Sequence, residues 1–185
     1  VNPRFGTEAD LKNLIAEAHE TGFKVTADVN LNHAGAGGLG KEEAVGQIHQ
    51  LRPFSKREHF HSQDCQLVTS ADWEGGRRTL QNCRVFGLLD YNHENPEVRE
   101  TLAEWVQWHV RTFGFDAVRI DAAAHMPKSF LRYIGRLNPP IPAFHEDPNG
   151  DSQIQIEYVL NHNEFAAIYN YPLYYAIRDV FAAGT

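Results

Sequence analysis

Cysteine is scarce in this chain: Cys65 and Cys83 are its only two among 185 residues. A thiolate zinc centre needs more ligands of that kind at closer spacing, so that class is excluded. The pair sits 18 positions apart in a stretch of weak periodicity and fits one disulfide, which would favour an oxidising compartment. Two free thiols fit the same spacing. Basic residues are in deficit as well, 17 Lys and Arg against 24 Asp and Glu. A formal net charge of -7 argues against nucleic acid, whose phosphates select a basic face. No apolar run approaches the roughly 18 residues that suggest a membrane-spanning helix. Internal repeats, low-complexity tracts and a leader peptide are also missing. The chain begins on Val1 in VNPRFGT and stops in FAAGT; both ends look cut, so the missing leader says little about secretion.

What is present suits one globular domain with a core, since 42% of residues are hydrophobic and 22% charged. Thr7 and Asp10 form a capping-box pattern ahead of Leu11, Leu14, Ile15 and Ala18 at helical spacing, and Gly22 closes that helix. The run 23-FKVTADVNLNH-33 predicts a strand ending in polar residues. From about 34 to 92 the periodicity fades, too long for a loop, which predicts an inserted loop-rich subdomain. Asn95 and Pro96 then start a helix with Val98, Leu102, Val106 and Phe113 along one face. A strand through 117–121, a helix from about Pro127, a short strand at 141–146 and a helix at 172–182 complete the pattern. Helices alternating with strands predict an α/β fold with a parallel sheet. The expected segments are 1–33 and 93–185 in the main body and 34–92 in the insertion.

Within 114-GFDAVRIDAAAHMP-127, strand alternation puts Arg119 and Asp121 on one face and Val118 and Ile120 on the other. Two charges on one face are costly unless paired or used. Polar residues gather at three strand ends: Asp28, Asn32 and His33; Arg119, Asp121 and His125; His145 and Glu146. Parallel α/β sheets build their sites at that edge. Carboxylates on adjacent strands suit glycoside hydrolysis, with an ionised Asp121 as attacking group and a protonated Glu146 as acid. Arg119 beside Asp121 is expected to lower that carboxyl's pKa, and the apolar neighbours of Glu146 to raise its own. His33 and His125 are placed to donate hydrogen bonds to sugar hydroxyls. The same residue set also suits a divalent metal in a barrel hydrolase. His59 and His61 are expected to be solvated loop residues without a role, and Tyr171, Tyr174 and Tyr175 to pack near a late strand.

These motifs together resemble the α-amylase family of glycoside hydrolases, over nearly the whole chain and in the right order. DVNLNH at 28–33 is similar to D-V-V-x-N-H, and GFDAVRIDAAAH at 114–125 to G-F-D-G-x-R-x-D-A-x-K-H. FHE at 144–146 falls where a segment ending in G-E is usual, and LLDYNHENPEV at 88–98 is similar to L-P-D-L-N-x-x-N-P-E-V. VNPRFGT resembles the approach to the second barrel helix, and YNYPLYYAIRDVF at 169–181 the segment around strand six. The resemblance implies a partial TIM (β/α)8 barrel, about strands 3 to 6, with the insertion between strands 3 and 4.

It further implies retaining endo-hydrolysis of α-1,4-glucosidic bonds in starch- or glycogen-like glucans. Asp121 would be the nucleophile, Glu146 the acid and base, and Arg119 its orienting partner with Asp28 bonded to it. His33 and His125 would contact sugar. A structural Ca²⁺ would be held by Asn32, Asp90 and the backbone carbonyl of His125. Cys65–Cys83 resembles a disulfide of secreted fungal-type amylases, which implies an extracellular monomer acting on α-glucan, with neither nucleic acid nor membrane as partner. The departures are Ala124 for a usual Lys, Leu89 for Pro, His145 for Gly and Gln81 near a position that is often acidic. A third catalytic Asp, in F-x-x-N-H-D, has no counterpart, which suggests a fragment inactive by itself. Cyclomaltodextrinase- and glucanotransferase-type relatives share the same signatures, and an inactive glucan- or calcium-binding fragment is the other alternative.

Overall fold

The computed structural model describes residues 2–35, 40–61, 64–67, 80–148, 151, 153, 156 and 166–183. Its backbone forms two compact units, one of Val1–Val29, Glu104–Asp121 and Arg132–Thr185, the other of Asn30–Ala103 and Ala122–Leu131.

The first unit carries the sheet. Helix α1 (Glu8–Glu20) starts at the expected capping box: Asp10 N donates to Thr7 Oγ1 at 3.2 Å, and Thr7 N donates to Asp10 Oδ2 at 2.7 Å. Strand β1 (Thr26–Asn30) follows, with Ala27 and Val29 buried and Thr26, Asp28 and Asn30 exposed. It is shorter than the predicted 23–33, because Phe23 to Val25 and the polar end lie outside the ladder. Asn95 and Pro96 open the long helix α3 (Pro96–Phe113), and Asn95 Oδ1 accepts from Glu97 N at 2.9 Å. Gly114 takes φ +84°, a left-handed geometry that costs a glycine nothing, and so turns the chain into β4 (Ala117–Asp121). The short α4 (Lys128–Gly135), β5 (Ala143–His145), β6 (Ala166–Ile168) and α5 (Tyr171–Ala183) complete the order.

The sheet runs β1-β4-β5-β6, with β4, β5 and β6 parallel. Arg119 is opposite Phe144 and Ile120 opposite His145. Crossover helices between parallel strands are the consequence of that geometry, and the predicted α/β architecture stands. The helix expected at 172–182 is present as α5, and the strand Ala166–Ile168 directly precedes it.

The second unit contains the insertion, which has more order than the weak periodicity suggests. Helix α2 (Lys41–Gly46), two 3₁₀ turns and a parallel pair, β2 (Gln66–Leu67) with β3 (Arg84–Val85), lie within it. Cys65 and Cys83 are disulfide-bonded with Cα atoms 4.8 Å apart, resolving the choice that spacing left open. Leu67, Cys83 and Val85 form a small buried cluster, with Leu80 and Cys65 packed on it. So small a cluster offers little hydrophobic stabilisation, and the covalent link is expected to matter. Replacing Cys83 by Ser should cost about 3 kcal/mol, the loop-closure scale for a cross-link of this span. Denaturant unfolding with and without reductant checks it: the wild type should lose stability in reductant and the variant should not. Among the described residues no helix is long and apolar enough to cross a membrane.

Candidate active site

The sheet edge gathers four charged side chains in the first unit. Asp28 ends up exposed on β1, Arg119 and Asp121 project from one face of β4, and Glu146 lies just past β5. On the opposite face Val118 and Ile120 are fully buried, as strand alternation requires. The backbone N–H of Glu146 donates to the Ile120 carbonyl at 3.0 Å, extending the β4–β5 ladder past His145. That extra bond brings Glu146 beside Asp121.

Arg119 is the hub. Its Nη1 donates to Asp28 Oδ1 at 2.6 Å and to Asp121 Oδ1 at 2.9 Å, and its Nη2 reaches Glu146 Oε1 at 2.8 Å. One planar guanidinium with several N–H donors can serve three carboxylates; a lysine ammonium lacks that forked reach. Burial and these ion pairs pull oppositely on Arg119: desolvation lowers its pKa, while hydrogen bonds to Asp28 and Asp121 and the charge of Glu146 raise it further, and the net shift is upward.

Asp121 corrects the electrostatic expectation. Its carboxyl is held above its ordinary 3.8, first by burial and then by the adjacent Glu146, although Arg119 pulls it down. The Arg119 effect is present as expected but is shared among three carboxylates. Neighbouring carboxylates repel one another, which is the direction in which Glu146 acts on Asp121. An acid-and-nucleophile mechanism requires two carboxyls in unlike environments.

Tyr171 was missed in the sequence, where the aromatic run suggested only packing. Asn170 caps α5 by accepting from Leu173 N at 3.0 Å, which sets Tyr171 at the first turn. The Tyr171 hydroxyl then donates to Glu146 Oε1 at 3.3 Å. Burial, followed by the charge of Glu146, raises the pKa of that phenol. Arg119, Tyr169, Tyr171, Tyr174 and Tyr175 line a cavity of about 650 Å³. A tyrosine one residue into a helix that follows a strand end was the available signal.

The second unit holds the other expected residues. Asn32 and Asp90 are 0% and 1% exposed, and the Oδ1 atom of each is buried without a hydrogen-bond partner. Burial pushes the Asp90 carboxyl up to about 7, with His61 and Asn32 opposing it. His125 is buried and its Nδ1 faces the Leu80 carbonyl at 3.1 Å. His33 is half-buried, with its Nε2 2.6 Å from Asn30 Nδ2. Its pKa falls to about 4, chiefly through burial and then through His125 and Lys41, so the ring is neutral near pH 7. His59 and His61 are not solvated, contrary to expectation. His59 is 1% exposed, and His61 bridges Asp90 at 2.6 Å and Glu94 at 2.9 Å. Both acids come from the LLDYNHE segment, and no periodicity in the sequence links them to residue 61.

Residues 1–170 match the family model for the α-amylase catalytic domain. This chain belongs to the α-amylase family. It is 31% identical over 186 residues to a beta/alpha-amylase of Paenibacillus polymyxa, covering 98% of this chain and 14% of that protein. Alpha-amylase 2 of Schwanniomyces occidentalis is 30% identical over 198 residues, covering 98% of this chain and 34% of that one. In structure it resembles the alpha-amylase of Geobacillus thermoleovorans, solved with acarbose, at TM-score 0.75 and 28% identity, covering 96% of this chain and 37% of that one. The cyclomaltodextrin glucanotransferase CldA gives TM-score 0.73 at 26% identity, covering 97% and 38%. The chain therefore spans between 14% and 38% of these relatives, and the neighbours are consistent with a partial barrel.

The family departures now have structural settings. His145, in place of Gly, is 1% exposed, and Leu89, in place of Pro, is 3% exposed, so both fill core space. Gln81 donates from Nε2 to the Met126 carbonyl at 3.0 Å. Among the described residues no three His, Cys, Asp or Glu side chains converge on one metal position. An amide, one carboxylate and a backbone carbonyl, the set implied by the resemblance, is a different kind of donor group.

Proposed function

We propose that this chain carries the nucleophile and acid of a retaining α-glucan hydrolase acting within α-1,4-linked chains of the starch or glycogen type. One observation carries it: Asp121 and Glu146, from adjacent strand ends, converge on one guanidinium. In this reading Asp121, ionised and oriented by Arg119, attacks the anomeric carbon. Glu146, acting in its protonated form, delivers that proton to the departing glycosidic oxygen, so that the C–O bond breaks as the aspartyl ester forms. Glu146, now a carboxylate, then takes a proton from water, whose oxygen attacks the same carbon and releases Asp121; two inversions give retention. Asp28 would steady Arg119, and the Tyr171 hydroxyl would orient Glu146. The alpha-amylase neighbour solved with acarbose supports a carbohydrate reading of the cavity.

The buried oxygens without partners on Asn32 and Asp90 fit an oxygen-seeking cation, since a hydrogen-bonded pair would leave none spare. A Ca²⁺ there would be held by those atoms and the His125 carbonyl, and would supply charge compensation for Asp90 and a cross-link between loops. The disulfide favours an oxidising, extracellular setting. Resemblance to CldA keeps transfer to a sugar acceptor as the second reading.

Glu146→Gln tests the acid assignment in the protein expressed from its complete reading frame. Hydrolysis of maltooligosaccharides should fall by roughly 10²–10⁴-fold, the contribution of one general acid. First-turnover fluoride release from α-maltosyl fluoride, whose leaving group needs no proton, should stay close to wild type. Equal loss on both substrates would sink the acid role. Proton NMR of the first product should show the α anomer, and the β anomer would rule out retention.

A further inference from the structure

His61 lies outside the chemistry described so far, yet it is held more tightly than a loop histidine needs to be. Its Nδ1 is 2.6 Å from Asp90 Oδ2 and its Nε2 is 2.9 Å from Glu94 Oε2. The ring is 10% exposed, Asp90 1% and Glu94 64%, so the chain of contacts runs from surface to interior. The backbone supports the same arrangement: His61 N donates to the Asp90 carbonyl at 3.0 Å, and His33 pairs with Asp90 in an antiparallel bridge. With Oδ2 taken by His61, Asp90 is left with one unpartnered buried oxygen, Oδ1, and Asn32 contributes another.

A carboxylate anchored at one oxygen has lost its χ2 freedom, and the second oxygen is presented in one direction. We infer that His61 is the positioning residue of the cation site, fixing Asp90 through Oδ2 so that Oδ1 is presented to the ion, with Glu94 bracing the far side of the ring. The inference rests on the reading of Asn32 and Asp90 as cation ligands. Two effects of His61 oppose each other. Anchoring removes the entropy cost of ordering Asp90, whereas any positive charge on the ring would repel a cation. Glu94, 2.9 Å from the far side of the ring, offsets such charge, and anchoring is expected to prevail. Outer partners of metal ligands typically contribute 10–100-fold to affinity.

The experiment is calorimetric titration of Ca²⁺ into chelator-treated protein from the complete reading frame, with thermal unfolding in Ca²⁺ and in chelator alongside. His61→Ala should bind Ca²⁺ about 10–100-fold more weakly and lose most of the Ca²⁺-dependent rise in Tm. His61→Asn, which keeps an N–H within reach of Asp90, should recover most of that loss. A purely structural role would give no such rescue. Glu94→Gln, at an exposed position, should fold normally and weaken Ca²⁺ binding less than His61→Ala does. His61→Ala that is folded and binds Ca²⁺ as well as or better than wild type overturns the proposal, because repulsion then outweighs anchoring. Should His61→Ala fail to fold, unchanged affinity in Glu94→Gln overturns it instead. A wild type that takes up no Ca²⁺ removes the cation reading itself, and the role of His61 with it; uptake by the wild type with an unaffected His61→Ala removes only the latter.

Discussion

Asp121→Asn is expected to lower kcat on α-glucan by roughly 10⁴-fold or more, the scale on which a covalent nucleophile contributes. An amide keeps the size of the carboxyl and can still accept from Arg119 Nη1, so the change removes charge and nucleophilicity while sparing the geometry. Stability should move the other way. The Asp121 carboxyl is raised above its ordinary 3.8 by burial and by Glu146. A carboxyl with a raised folded pKa stabilises the fold below its unfolded pKa, and that contribution is lost as pH rises through the folded value. At neutral pH the native state therefore carries an ionised group it would prefer neutral, and Asn relieves this. The expected result is an inactive variant whose Tm at pH 7 equals or exceeds that of the wild type. Activity within tenfold of wild type would move the nucleophile elsewhere; a lower Tm would show that the carboxylate is a structural anchor first.

Arg119→Gln should be the second large effect. Without the guanidinium, Asp28, Asp121 and Glu146 face one another with no cation among them, and Glu146 loses its 2.8 Å partner. Loss of one preorganised charge contact at a reacting centre typically costs about 10²–10³-fold in kcat. Repulsion also pushes the Asp121 carboxyl further up, since the one strong influence lowering it is gone. The acid limb of the kcat/KM–pH profile, already above the ordinary aspartate value in the wild type, should therefore shift to higher pH in Arg119→Gln. Activity of the variant should fall most at low pH and recover partly as pH rises. Arg119→Lys should restore a charge but not the fork, giving intermediate activity. An unshifted acid limb would mean that Arg119 does not govern the nucleophile.

Much of the site was legible because strand alternation and strand-end position are local properties. Arg119 and Asp121 had to share a face two residues apart, and Asp28 and Glu146 belong to the strands on either side of β4. The capping box at Thr7 and the Asn95–Pro96 helix start were likewise local and were found where expected. The direction of the Asp121 shift was not legible, because it depends first on burial and then on how close Glu146 comes in space. Tyr171 looked like packing because its role comes from a cap at Asn170 and a 25-residue sequence separation from Glu146. In the sequence His61 reads as a loop residue, because its partners lie 29 and 33 positions away.

The amino-acid sequence by itself determined the α/β alternation and the shared face of Arg119 and Asp121, which follow from periodicity, and the family, which follows from the resemblance of its motifs. Only the tertiary structure decided that Arg119 serves three acids at once, that Asp121 is raised rather than lowered, that Cys65 and Cys83 are joined, and that His61 braces Asp90. Each of those is a distance between residues remote along the chain, and burial and Coulomb energy depend on distance in space, which spacing along a sequence does not contain.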